Sequence, residues 1–149
     1  MRIRPLLEKD RSDWVALWHG YLTFYEATVS DEVTAATWER LLDETSPMFC
    51  LVAENEKGQV VGFTNCIVHL NTWTVQPICY LEDLFVAPEH RKQGAARKLI
   101  ETVAEKAKEE NWGRLYWMTK NSNHTARVLY DDVAKLTDFL RYDHPLTKP

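Results

Sequence analysis

Two acids, Glu82 and Asp83, interrupt an apolar run, Tyr80-Leu81-Glu82-Asp83-Leu84-Phe85-Val86. Burying a carboxylate without a partner is costly, so at least one of them must meet a wet pocket. Strand side chains alternate between faces, which gives the two acids different surroundings and different jobs. Past Pro88 the chain passes through Arg91, Lys92, Gln93 and Gly94 into Ala95-Ala96-Arg97-Lys98-Leu99. Small residues at Gly94, Ala95 and Ala96 let a ligand approach the backbone. The N–H groups of a first helical turn have no partner within the helix and carry partial positive charge. A strand–turn–helix of this kind suits a phosphate, and Arg91, Lys92 and Arg97 add charge around it. The same residues also make an ordinary strand–turn–helix with a basic surface, and the segment alone leaves the two readings level. There is no Walker lysine pattern and no G-x-G-x-x-G, so neither a P-loop nor a dinucleotide fingerprint applies.

Other chemistry-bearing residues are less specific. Tyr130 shares a helical stripe with Ala126 and Ala134, small neighbours that fit either a pocket or a tight packing contact; on the residues alone packing is favoured. The five histidines show no metal spacing. His90 and His124 read as surface residues. Cys50, Cys66 and Cys79 are odd in number, lack a CxxC and sit in apolar stretches, which reads as buried reduced thiols of a cytoplasmic protein. None has the setting of an activated nucleophile.

The elements that must position these residues follow from periodicity. Arg2 to Pro5 is a short strand. Trp14, Leu17, Trp18 and Tyr21 recur at helical spacing and predict a helix from Ser12 to about Tyr25. Trp38, Leu41 and Leu42 supply the face of a second helix, from near Asp31 to about Leu42. Strands are expected over Phe49 to Glu54 and Val60 to Leu70, joined as a hairpin by Asn55-Glu56-Lys57-Gly58-Gln59. Another strand spans Ile78 to Val86. A helix from roughly Gly94 to Glu110 follows, with Leu99, Val103 and Ala107 as one stripe and Gly113 in the place of a C-terminal glycine. Arg114 to Thr119 is a strand. Asn121-Ser122-Asn123 offers N-cap residues for a helix to about Lys135. Thr137 to Tyr142 closes the chain as a strand. Strands that alternate with helices after a hairpin predict an α/β (or α+β) layer architecture with a mixed sheet.

Length and composition agree with one domain over residues 1–149. Apolar residues make up 45% and charged residues 27%, ordinary for a globule. The net charge of −4 disfavours nucleic acid. No apolar run approaches the ~20 residues of a membrane span, and Met-Arg-Ile-Arg-Pro lacks a signal peptide's apolar core.

Arg91-x-x-Gly94-x-Ala96 resembles the Arg/Gln-x-x-Gly-x-Gly/Ala pyrophosphate loop of the GNAT acetyltransferases. The resemblance spans nearly the whole chain: Arg-Pro-Leu near the N-terminus, Tyr-Leu-Glu-Asp-Leu-Phe-Val, and Asn123-x-x-Ala126-x-x-Leu129-Tyr130 occur in the expected order. The strand motif is similar to that of the spermidine/spermine and thialysine N-acetyltransferases. Tyr116-Trp117-x-Thr119, Leu129-Tyr130-Asp131 and Thr137-x-Phe139 resemble the yeast histone-and-polyamine acetyltransferase branch and its bacterial relatives. Lys92 is a departure, since many relatives carry glycine there.

The resemblance implies the GNAT fold, a mixed central sheet with a splayed strand pair and helices on both faces. It implies acetyl-CoA as co-substrate, with no metal. The pantetheine arm would lie beside Leu84, Phe85 and Val86, opened by a bulge. The pyrophosphate would sit on Arg91, Lys92, Gln93, Gly94, Ala95, Ala96 and Arg97, with Asn123 and Ala126 along the far side. Tyr130 matches the tyrosine that protonates the leaving thiolate. Glu82 matches the acid on the amine side, as base or cation anchor. Tyr25, Glu26, Trp73 and Trp117 would line the acceptor pocket. The implied activity is direct acetyl transfer to the primary amine of a polyamine-like or amino-acid-like small molecule. A histone-tail or N-terminal protein acceptor, and a non-catalytic acyl-CoA-binding module, stand as alternatives. Relatives also imply a homodimer, in some cases with C-terminal strands exchanged.

Overall fold

The computed structural model describes residues 1–147. Its residues form two compact units, the first running from Met1 to Met118 and the second beginning at Thr119.

The first unit is built on a five-stranded sheet in the order β1 (Arg2–Pro5), β2 (Met48–Glu54), β3 (Val60–His69), β4 (Ile78–Val86) and β5 (Leu115–Tyr116). The first four strands are antiparallel to their neighbours, and β5 joins β4 in parallel. Helices α1 (Arg11–Phe24) and α2 (Asp31–Leu42) lie between β1 and β2 in the chain, and α3 (Ala95–Glu109) links β4 to β5. The spacing of Trp14, Leu17, Trp18 and Tyr21 puts one α1 face on the sheet. Trp14 is fully buried, stacks on Trp18 with centroids 5.6 Å apart and meets Trp38 of α2 at 5.5 Å. Gly20 lets α1 come close to β4, since a Cβ there would stand 2.9 Å from the Phe85 ring. Ser30 caps α2 by accepting the Val33 N–H at 3.2 Å, and Asp31 and Glu32 sit in its first turn, where carboxylates are favourable. Leu51, Val61, Leu81, Leu99, Ile100 and Val103 are buried outside the tryptophan cluster and pack α3 on the opposite face.

An ion cluster fastens the N-terminal strand. The Arg4 guanidinium donates to both Asp10 oxygens at 2.7 and 2.9 Å and to Glu54 at 2.8 Å. Burial alone would raise the Asp10 carboxyl, but the hydrogen bonds from Arg4 and from the Leu7 N–H outweigh it and hold it below the ordinary range.

Sequence expectations fail at four places. The strand expected over Arg114 to Thr119 contracts to Leu115–Tyr116. Gly113 does not end α3 in the left-handed conformation; Asn111, with φ 56°, takes that role, which asparagine tolerates. Gly113 is required instead by crowding, because a Cβ would meet the Thr74 hydroxyl at 2.5 Å. In the second unit α4 covers His124–Val133, shorter than expected, and Thr137 to Tyr142 is not a strand. A strand needs a neighbour to bond its backbone, and no described strand pairs with this segment.

Candidate active site

The register between β3 and β4 contains the feature that shapes the site. Asn65 pairs with Asp83 and the next residue, Cys66, pairs with Leu81, so Glu82 is an extra residue on β4. Cross-strand partners share a face, and residues two apart on β3 share a face. Thr64 and Cys66 therefore place Leu84 and Leu81 on one side, although these are three residues apart. The expectation that Glu82 and Asp83 point to opposite faces is thus corrected: the bulge breaks the alternation between them. Asp83 belongs to the α1 side. It is buried, accepts the Asn65 amide at 3.0 Å and is hydrogen-bonded to Tyr21. Its role is structural: these bonds hold it within the core. Burial pushes its carboxyl upward, against the hydrogen bonds of Asn65 and Tyr21. Glu82 is reachable by solvent. Partial burial, then the neighbouring Asp83, raises its carboxyl above the usual range.

Beyond the bulge β4 has an open edge. The Ala87 N–H bonds to Val61 of β3 at 2.9 Å. Amides alternate sides along a strand, so Phe85 and Asp83 also aim at β3, whereas Leu84 and Val86 aim at the β5 side. There the pairing runs only through Cys79–Leu115 and Tyr80–Tyr116. The backbone from Glu82 to Val86 is therefore left with free donors facing a slot, the splayed pair expected from the family resemblance.

The slot leads to the turn before α3. Lys92 and Gly94 both have positive φ, 64° and 82°. That conformation explains why glycine suits position 92; lysine occupies it here at the cost of local strain. A Cβ on Gly94 would meet nothing within 4 Å, so the turn faces open space. No side chain caps α3 and no acid occupies its first turn. Ala95 is buried against the sheet, while Ala96 and Arg97 are half-buried and Lys92 and Gln93 exposed. An uncapped, acid-free helix start ringed by Lys92 and Arg97 fits a pyrophosphate. Arg91 departs from the expected arrangement of charge. Its Nε donates to the Val86 carbonyl at 2.9 Å, and its guanidinium lies over the rings of Phe85 and Phe24 at 5.3 and 5.9 Å. Its side chain braces the turn against β4 and the end of α1.

The α1 side of β4 holds residues that sequence reasoning missed. Tyr80 and Tyr116 stack at 5.0 Å with planes 13° apart, and His69 Nε2 lies 3.0 Å from the Tyr116 hydroxyl. Parallel pairing of Tyr80 with Tyr116 carried the signal, but pairing cannot be read from a single chain's periodicity. Tyr21 touches Tyr25 at 5.0 Å, and burial keeps its hydroxyl protonated. Glu26 ends α1 with φ 54° and is exposed. Trp73 stands 78% exposed on the loop before Ile78, the end of β4 away from Gly94, and Trp117 is half-buried just after β5.

Within the second unit, Asn123 occupies the N-cap position of α4 without capping it; its amide donates to Thr119 at 3.0 Å. Ala126 and Tyr130 lie half-buried on one stripe of that helix. The three cysteines are buried and unpaired. The Cys79 neighbour and burial raise Cys66, and burial raises Cys50, which disfavours thiolate. Among the described residues no group of three His, Cys, Asp or Glu side chains is arranged to hold a metal, and no helix is long and apolar enough to cross a membrane.

Residues 14–133 match the model of the Acetyltransferase (GNAT) family. D-amino-acid N-acetyltransferase HPA3 of Saccharomyces cerevisiae is 35% identical over 141 residues, covering 94% of this chain and 88% of its own. The thialysine N-epsilon-acetyltransferase of Mus musculus is 29% identical over 140 residues, covering 87% and 80%. The structure of the aminoglycoside acetyltransferase AAC(6')-Iy with the bisubstrate analogue CoA-S-monomethyl-acetylneamine has a TM-score of 0.82 at 19% identity, covering 98% of each chain.

Proposed function

The chain belongs to the Acetyltransferase (GNAT) family, and from that premise we propose that it transfers the acetyl group of acetyl-CoA directly to the primary amine of a small molecule. It is an acyl-CoA-dependent N-acetyltransferase. One observation carries the reading of the site: a bulge at Glu82 opens an unpaired stretch of β4 that ends at the uncapped start of α3.

The residues fit the co-substrate. The amides from Lys92 to Arg97 hold the pyrophosphate, with Lys92 and Arg97 supplying charge and Arg91 bracing the turn. The backbone of Leu84, Phe85 and Val86 bonds the pantetheine arm as an added strand would. The family resemblance adds Asn123 and Ala126 to the residues proposed for the co-substrate. Acetyl-CoA supplies an acetyl group activated as a thioester. Glu82 takes a proton from the acceptor ammonium, whose ordinary pKa near 10.4 leaves little free amine at neutral pH. The amine nitrogen then attacks the carbonyl carbon, while the Leu84 N–H draws charge onto the carbonyl oxygen. The C–N bond forms and the C–S bond breaks; Tyr130 gives its phenolic proton to the departing sulfur, and the proton that the new amide nitrogen sheds passes through water to restore the phenol. Raised, buried thiols argue against an acyl-cysteine. Tyr25, Glu26, Trp73 and Trp117 border the acceptor's approach.

The wider assignments rest on lighter support. The family match runs from the first unit into the second, which favours one catalytic domain over residues 1–149. Three free buried cysteines fit a cytoplasmic setting. Relatives named for D-amino acids and thialysine favour a small acceptor over a protein tail, and neither nucleic acid nor membrane enters the reading. Leu136, Phe139, Leu140, Tyr142 and Leu146 are each at least 71% exposed, an apolar segment suited to packing on a second copy, so the working form is a homodimer.

The test is thiol release from acetyl-CoA against a panel of spermidine, thialysine, L- and D-amino acids and a histone-tail peptide. Release above the blank with a small amine is expected. Tyr130→Phe should lower kcat about 10- to 100-fold with acetyl-CoA affinity unchanged. Release with the peptide alone would transfer the activity to a protein acceptor. Binding of acetyl-CoA without release on any member would favour a binding module.

A further inference from the structure

The peptide between Asp83 and Leu84 carries the N–H proposed above to draw charge onto the thioester oxygen, and its other end is gripped by the core. The carbonyl and the N–H of a trans peptide lie in one plane and point opposite ways. The Asp83 carbonyl accepts the hydroxyl of Thr64, on β3, at 2.8 Å. It therefore aims at β3, and the Leu84 N–H on the same peptide aims away from it, into the slot. This contact fixes the direction independently of the alternation of amides along β4.

Thr64 is fully buried and stands opposite Leu84 in the register. Its hydroxyl has one proton, and a backbone carbonyl can only accept, so that proton is committed to Asp83. Cys66 Sγ lies 3.9 Å from the same oxygen and is left as a donor to it. The side chain of Asp83 is held as well, by the Asn65 amide at 3.0 Å and by Tyr21. Residue 83 is thus gripped at both its carbonyl and its carboxylate. It follows directly on the bulge residue Glu82, where the ladder is interrupted and regular strand bonding does less to hold a peptide plane. A hydrogen bond to a peptide carbonyl also polarises that peptide and strengthens its N–H as a donor.

We propose that Thr64 is a positioning residue for acetyl transfer: through the Asp83 carbonyl, its hydroxyl holds the Asp83–Leu84 peptide so that the Leu84 N–H meets the thioester oxygen as charge develops there. An oxyanion donor works by being in place before the charge appears. The proposal rests on the acetyltransferase reading above and adds to it a buried residue that acts only through the backbone of β4.

Thr64→Val keeps the side chain's shape and removes the hydroxyl, whereas Thr64→Ser keeps the hydroxyl and removes a methyl. Thiol release from acetyl-CoA gives kcat and KM for each. Calorimetry with CoA, which has no acyl carbonyl, gives the affinity of the binding edge itself. Thr64→Val should lower kcat about tenfold, part of the roughly 100- to 1000-fold that follows loss of a whole oxyanion donor, with CoA affinity unchanged. Thr64→Ser should recover most of the rate even though it loses a buried methyl and melts earlier. A packing role would order the variants by melting temperature; a positioning role orders them by the hydroxyl. Thr64→Ser against Thr64→Ala repeats the comparison with smaller side chains, so the same gap in kcat is expected there even if Thr64→Val fails to fold. Equal kcat with and without the hydroxyl, or a loss of CoA affinity that accounts for the whole effect, overturns the positioning role and leaves the acetyltransferase standing. No thiol release by the wild type with any amine removes both readings together.

Discussion

Glu82 and Asp83 are adjacent carboxylates separated by one backbone irregularity. Asp83 faces Asn65 and Tyr21 inside the fold, and its hydrogen bonds make it a structural acid. Glu82 is the unpaired bulge residue, open to water yet raised by partial burial and by Asp83. A raised carboxyl is a useful base near neutral pH, because a base works best when its pKa approaches the operating pH. The sign for stability runs the other way. Folding favours the protonated form of a raised acid, so ionised Glu82 opposes folding above its raised pKa. Glu82→Gln should therefore lower kcat/KM about 100-fold while melting no earlier than the wild type. The wild-type rate should climb with pH through a limb lying above the ordinary glutamate value of about 4.3, and that limb should vanish in the variant. Paired pH–rate profiles and melting curves check this; a limb that persists in Glu82→Gln assigns the base elsewhere.

At the scale of elements, the proposed co-substrate edge runs from β4 to the start of α3. The bulge ends the alternation of β4, the two-residue β5 leaves its far amides unpaired, and the turn delivers the chain to α3 through Lys92 and Gly94. Positive φ at Gly94 is unstrained because glycine has no Cβ, and the open space beyond it is where a phosphate would approach in the proposed site. Gly94→Ala should cost roughly 1 kcal/mol of stability from backbone strain and weaken acetyl-CoA binding modestly. Gly94→Glu adds a carboxylate to the same position and should raise the dissociation constant more than tenfold. Calorimetric titration of both variants separates strain from charge, and equal affinities for the wild type and Gly94→Glu would discard the phosphate turn. Arg91 ties the turn to Val86, Phe85 and Phe24, so in the proposed site Lys92 and Arg97 would meet the anion.

For the whole molecule, the tryptophan cluster and the Arg4–Asp10–Glu54 ion network lie within the first unit, whereas among the described residues past α4 five large apolar side chains are left to water. Exposed apolar surface of this kind marks an interaction site. Light scattering should return about twice the 17.4 kDa chain mass. Removing the residues from Thr137 onward should yield monomer. A dimer that survives the truncation relocates the interface, and a monomeric full-length chain removes the homodimer.

Much was decided by local pattern. The 3–4 spacing of Trp14, Leu17, Trp18 and Tyr21 determined α1, and Ile78 to Val86 emerged as a strand with both bounds as expected, because apolar runs and turn residues act over a few neighbours. The turn into α3 was legible for the same reason: Gly94 and two alanines before an amphipathic run have few conformational alternatives. Only the tertiary structure decided what depends on pairing. The bulge at Glu82 exists because Asn65 and Cys66 of the neighbouring strand β3 set its register, and it removes the alternation that would have put Glu82 and Asp83 on opposite faces. The Tyr80–Tyr116 stack and the guanidinium of Arg114 beside it arise from a parallel ladder between residues far apart in sequence. The segment from Thr137 to Tyr142 has strand-like residues and no strand, because a strand is completed by its neighbour and not by its own composition.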